Sequence, residues 1–168
     1  MHNRILLFLV GLCLLSVAPS QTAAAKESLG VFGQWGAFRD SSAPRCYAIA
    51  MAMPDNGQRA FVPYATIGTW PGRNIRGQFH ARLSRTIAAG SRVTLRLGGK
   101  SFTLVGGGGD AWAIDHRMDA AIVAAMRSAE RMHVGARDKN GRRFSDTYEL
   151  DGAATAMDAA TVGCVRLR

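Results

Sequence analysis

Val93-Thr-Leu-Arg-Leu-Gly-Gly-Lys-Ser-Phe-Thr-Leu104 is the stretch that decides the fold. Val93, Leu95 and Leu97 alternate with Thr94 and Arg96, the period of a strand with one buried face. Gly98-Gly99 then reverses the chain, because paired glycines supply the positive φ that tight hairpin turns require. Phe102 and Leu104 return on the same side. Upstream, Phe79, Ala81 and Leu83 point one way while Gln78, His80 and Arg82 point the other. Ala60 to Trp70 holds a strand broken at Pro63, and Leu29 to Arg39 is aromatic-rich. In Cys46 to Met53, bulky Tyr47, Ile49, Met51 and Met53 alternate with Cys46 and three alanines, which predicts a strand buried on both sides. Leu29 to Val105 thus reads as β-structure. Gly106 to Gly109 breaks the pattern and is expected to be a flexible connector, since no Gly-Lys-Ser/Thr follows to make a phosphate loop.

Beyond the glycines the period changes. Met118, Ile122, Val123, Met126 and Ala129 recur at three- and four-residue steps, predicting an amphipathic helix over Asp115–Arg131, started by Asp115 or Asp119. Met132–Ala136 and Arg142–Leu150 form a second hairpin across Asp138-Lys-Asn-Gly141. The alanine-rich run from Gly152 to Thr161 makes a short helix with Ala153, Met157 and Ala160 on one side, and Cys164 follows it.

Residues 1–25 have the order of a secretory signal peptide: Arg4 in a short basic start, an apolar run from Ile5 to Val17, then Ala23-Ala24-Ala25 before the cut. The apolar run is too short to span a bilayer, which takes about 20 residues. Cys13 does not mark a lipoprotein, because Leu12 stands where a small residue is needed. The expectation is a periplasmic or secreted single domain, residues 26–168, with no transmembrane segment. Its remaining cysteines, Cys46 and Cys164, most economically form one disulfide in an oxidising compartment. A zinc site would want Cys-x-x-Cys or paired histidines, and a catalytic thiol has less support still.

Charge is unevenly placed. Without Arg4 the chain keeps 20 Lys and Arg against 12 Asp and Glu. Between Asn56 and Gly109 there is no acid at all, while seven arginines and Lys100 sit there. Arg73, Arg76, His80, Arg82 and Arg85 fall within thirteen residues and form the candidate binding set. Arginine there suits bidentate capture of phosphate or carboxylate. The competing reading is an outer strand guarded by charge against sheet-to-sheet association. The partner expected is an anionic envelope lipid, a glycan or a host-surface component. Export and scattered aromatics argue against nucleic acid.

No catalytic motif stands out. His80, His116 and His133 lie outside any His-Glu-x-x-His pattern, and no Gly-x-Ser-x-Gly is present. The expectation is a non-enzymatic binding module with neither cofactor nor metal. The competing class is a hydrolase acting on envelope material, its residues assembled in space from separate segments.

Several short motifs carry a resemblance. Asp119-Ala-Ala-Ile-Val-Ala-Ala-Met126, Met132 to Ala136, Asp138 to Gly141 and Tyr148-Glu-Leu-Asp-Gly-Ala-Ala-Thr-Ala156, with early Trp35 and Cys46, resemble the invasion-associated locus B family. The resemblance implies an exported bacterial β-sandwich with a helix or two, from the cell envelope of α-proteobacteria. It supplies no catalytic residues. The chain departs from the family in lacking its further cysteines in the middle and after the tryptophan. The fold expected is therefore mainly β with one or two helices, an immunoglobulin-like β-sandwich with a C-terminal helix-hairpin-helix segment.

Overall fold

The computed structural model describes residues 26–57 and 59–167; the signal-peptide reading of residues 1–25 lies outside them. The described chain is mainly β, with ten antiparallel strands and two α-helices. In chain order these are β1 (Glu27–Phe32), β2 (Trp35–Asp40), β3 (Arg45–Met51), β4 (Tyr64–Trp70), β5 (Ile75–Arg82), β6 (Val93–Leu97), β7 (Lys100–Gly107), β8 (Asp110–Trp112), α1 (His116–Met126), β9 (Arg131–Arg137), β10 (Arg143–Glu149) and α2 (Ala153–Gly163). The strands are hydrogen-bonded in the order β1-β2-β3-β4-β5-β8-β7-β6-β9-β10.

An immunoglobulin-like sandwich has two separate sheets, whereas these strands join into one. The joint is β7. Its residues 100–104 pair with β6, and Val105, Gly106 and Gly107 pair with β8. One strand therefore belongs to both halves and turns a corner between them. Gly106 sits in that corner, where a Cβ would lie 2.6 Å from Val93 Cγ2 and 2.7 Å from Ile87 Cδ1. The four glycines are not a loose connector. Two of them end β7, and Gly108, at φ 62°, makes the turn into β8.

The inner faces of both halves share one core. Phe79, Ala81 and Leu83 meet Val93, Leu95, Met132, Val134 and Tyr148 there, all fully buried. Each large apolar side chain in that core contributes about 1.5–3 kcal/mol by its burial. Trp35 Nε1 donates to Glu149 O at 2.9 Å, and Met53 N to Thr147 O at 2.7 Å, tying the β2–β3 end of the molecule to β10.

The helices complete the core. Asp115 caps α1 by accepting from Met118 N at 2.8 Å. The helix stops at Met126 rather than Arg131, because Arg131 already pairs with Glu149 in the next hairpin. Asp119 turns inward and accepts from Phe79 N at 2.8 Å, pinning α1 to β5. The second helix lies on β1, β2 and β3. Its Ala153, Ala156 and Ala160 are buried together with Cys46, Ala48, Ala50 and Ala52, so β3 buries its small face. Small residues on both elements let the backbones approach, and the Cys46–Cys164 disulfide, Cα–Cα 5.6 Å, ties the end of the helix to the strand. The expected two-sided burial of β3 is not found. Among the described residues no layer covers its other face, leaving Tyr47 and Ile49 half-exposed and Met51 exposed. Among the described residues, no helix is long and apolar enough to cross a membrane.

Candidate anion-binding site

The five basic residues singled out from the sequence do not share one face. A β-bulge separates them. Gly68 pairs with Gln78 but Trp70 with Ile75, so β5 carries one extra residue, and Gly77 takes φ 66° to accommodate it. The bulge resets the alternation: Arg76 lines a groove with Val123, Ala124 and Arg127 of α1, while Gln78 and His80 line a hollow on the outer sheet face. Arg73 is exposed in a 3-10 turn before β5. Arg82 and His80 share one carboxylate, Asp110, at 2.6 Å and 3.0 Å. Arg82 also lies 4.0 Å over the Phe61 ring. Arg85 binds the buried Asp138 at 3.1 Å. Burial works to raise the Asp138 pKa, but amide donors from Arg142 and Asn140, with the Arg85 and Arg142 guanidiniums, outweigh it and hold the carboxyl low. Arg82 and Arg85 are thus held in internal ion pairs.

The structure gathers a different basic set. On β6 the outward residues are Arg92 (just before the strand), Thr94 and Arg96; on β9 they are His133, Gly135 and Arg137; on β10, Arg143 and Ser145. The register sets them in rows. Arg96 faces His133, Thr94 faces Gly135, Gly135 faces Ser145, and Arg137 faces Arg143 directly. Arg92, Arg96, Arg137, Arg143 and His133 line a groove of about 560 Å³ with no carboxylate in its lining. Among the described residues none of these four arginines makes an ion pair; Arg137 Nη1 donates to Gly141 O at 2.9 Å. Like charges directly opposite on paired strands destabilise a sheet by some tenths of a kcal/mol. An anion bridging Arg137 and Arg143 would reverse that sign. The floor suits one: Gly135 presents no side chain, and Thr94 and Ser145 bring hydroxyls. His133 Nδ1 sits 2.9 Å from Thr147 Oγ1.

Half of this set comes from the acid-free segment and half from the charge-balanced C-terminal part. Counting along the chain therefore missed it. The available signal was the alternation Arg131, His133, Gly135, Arg137 against Met132, Val134 and Ala136.

Two carboxyls sit above their ordinary range. Burial raises Asp119 and Asp146, and their amide partners, Phe79 N and Ser84 N, offset only part of that. Each binds a backbone amide inside the core, as a structural group would. No group of three or more His, Cys, Asp or Glu among the described residues is placed to hold a metal ion.

The architecture defines a class of protein: a ten-stranded antiparallel sheet turned on itself, with α2 packed on β1, β2 and β3 and α1 mainly on β5. Among solved structures it resembles the crystal structure of invasion associated protein B from Bartonella henselae. The TM-score is 0.58, with 14% identity over 82% of this chain and 96% of that one. At that identity the likeness is one of fold. No family model matches the sequence, and no curated protein does.

Proposed function

We propose that the protein is an exported envelope protein of the invasion-associated locus B type. In this reading it binds an anionic envelope or host-surface component, without catalysing a reaction, through the groove of Arg92, Arg96, Arg137 and Arg143. The fold likeness to an invasion-associated protein supports the envelope setting. The observation that carries the binding role is the direct Arg137–Arg143 cross-strand pair, in a groove whose lining holds no carboxylate.

The test is retention of the protein on phosphatidylglycerol vesicles, lipopolysaccharide and a sulfated glycan such as heparin. Retention on at least one is expected, falling steeply with salt because exposed charges are screened over about 8 Å at physiological ionic strength. Arg137→Glu with Arg143→Glu should abolish it while leaving stability within about 0.5 kcal/mol, as surface changes do. Retention on none of the three, or equal retention of the charge-reversed variant, would remove the groove from the mechanism.

A further inference from the structure

The outer face of the other half-sheet carries a second, chemically different hollow. It measures about 350 Å³ and spans β3, β4, β5 and β8, about 14 Å at the usual strand spacing. Two rows cross it: Tyr47–Gly68–Gln78, and Ile49–Thr66–His80–Trp112. The floor leaves space for an aromatic ring where Gly68 has no side chain. A Cβ on Gly68 would lie 2.5 Å from two atoms of the Trp70 ring, so the indole rests on bare backbone. At the far side Trp112 is 36% exposed, with its ring 5.2 Å from His80 and tilted by 33°. Tyr64 closes against His80 edge-on at 5.8 Å. Between these rings lie hydrogen-bonding groups. The Gln78 amide and the Thr66 hydroxyl have no side-chain hydrogen bond among the described residues. His80 uses Nε2 on Asp110 and has Nδ1 to spare.

Aromatic faces interleaved with amide, hydroxyl and imidazole groups select among ligands. Aromatic rings present a negative face, which attracts the weakly positive C–H groups of a sugar ring. The polar groups between them match its hydroxyls. A cationic ligand, which an aromatic cage would otherwise favour, is opposed by Lys26 in the lining, while Arg45 is paired with Asp40 at 3.4 Å and lies over the Tyr47 ring. A lipid tail would strand the Gln78 and Thr66 groups unpaired. The face lies inside the sheet, with every strand already paired, so an added peptide strand has no edge to join. From this we infer that the hollow over β3, β4, β5 and β8 is a binding site for a short oligosaccharide of pyranose rings. Trp70 and Trp112 stack on the sugar rings, while Gln78, Thr66 and His80 bind the hydroxyls. The site is independent of the arginine groove.

Tryptophan fluorescence reads it, since Trp70 and Trp112 line the hollow while Trp35 is fully buried. The protein is titrated with chitotetraose, cellotetraose and tetragalacturonate. At least one should give a saturable change with Kd of about 1 mM or tighter. Calorimetry should show at least about a tenfold loss of affinity in Trp112→Ala and in Gln78→Ala, each melting like the parent. Arg137→Glu with Arg143→Glu should leave this binding intact, so that failure here and failure of the arginine groove are told apart. The inference is overturned if none of the three sugars binds, or if binding survives both substitutions. It is also overturned if the parent self-associates without sugar and Trp112→Ala abolishes that association, which would make the face a contact between copies.

Discussion

Asp146 is the residue whose environment is most at odds with its chemistry. It is fully buried, accepts from Ser84 N at 2.9 Å through Oδ2, and its Oδ1 has no hydrogen-bond partner among the described residues. Burial raises its pKa, with the Ser84 donors pulling the other way. The stability contributed by the protonated carboxyl is complete below the unfolded value of about 3.9, and is lost as the pH climbs through the raised folded value. Asp146→Asn stays neutral and keeps an oxygen for Ser84 N. Its stability relative to the parent should therefore improve between about pH 4 and pH 7. Denaturant midpoints of both proteins across that range check this, and parallel curves would count against a raised pKa. Its inward position was legible from the sequence, since Asp146 alternates in phase with Phe144, Tyr148 and Leu150. What was not legible was its partner, because Ser84 lies 62 residues away and meets it only when the two halves of the sheet close.

Single elements were read best where one face packs and the other does not. The Val93–Leu104 hairpin, the turn at Gly98, the Asp138–Gly141 turn and the buried side of α2 all follow from local period and turn chemistry. The errors fall where an element's environment is set by a distant one. β3 exposes its bulky side because a helix from the far end of the chain claims its alanines. The bulge at Gly77, which splits Arg76 from His80, is invisible in a regular period-two reading. A glycine run reads as slack in a sequence, yet Gly106 is closely packed at the corner, against Val93 and Ile87. Gly106→Ala should destabilise by about 1–3 kcal/mol, the usual cost of overpacking a filled core, and thermal melts will show it. Opening the Cys46–Cys164 bridge, which spans a sequence separation of 118, should lower stability by up to about 5 kcal/mol on the loop-entropy model. Equilibrium unfolding of Cys46→Ala with Cys164→Ala, beside the oxidised parent, measures it; equal midpoints would show that native strain cancels the gain.

At the scale of the whole molecule the sequence revealed the class of fold but not the distribution of charge. The basic excess between Asn56 and Gly109 belongs to the chain and not to one face of the molecule. Asp110 pairs with Arg82, Asp138 pairs with Arg85, and pairing of β6 with β9 puts Arg92 and Arg96 in one groove with Arg137. A sheet draws its faces from segments far apart in sequence, so a run of like charges seldom becomes a patch. The same long-range construction has a temporal consequence. Synthesis proceeds from the N-terminus, so α2 and Cys164 are made only after every strand they pack against. Until they arrive, the alanine stripe of β3 has no cover and Cys46 has no mate. Residues 1–152 should therefore behave as an unfinished chain, quickly cleaved by trypsin at arginines that are protected in the full-length protein. A trypsin-resistant fragment from that truncation would show that strands fold without α2 and the disulfide. Its absence would mean that the protein commits to its shape in one late event, leaving a window in which quality control can still dispose of it.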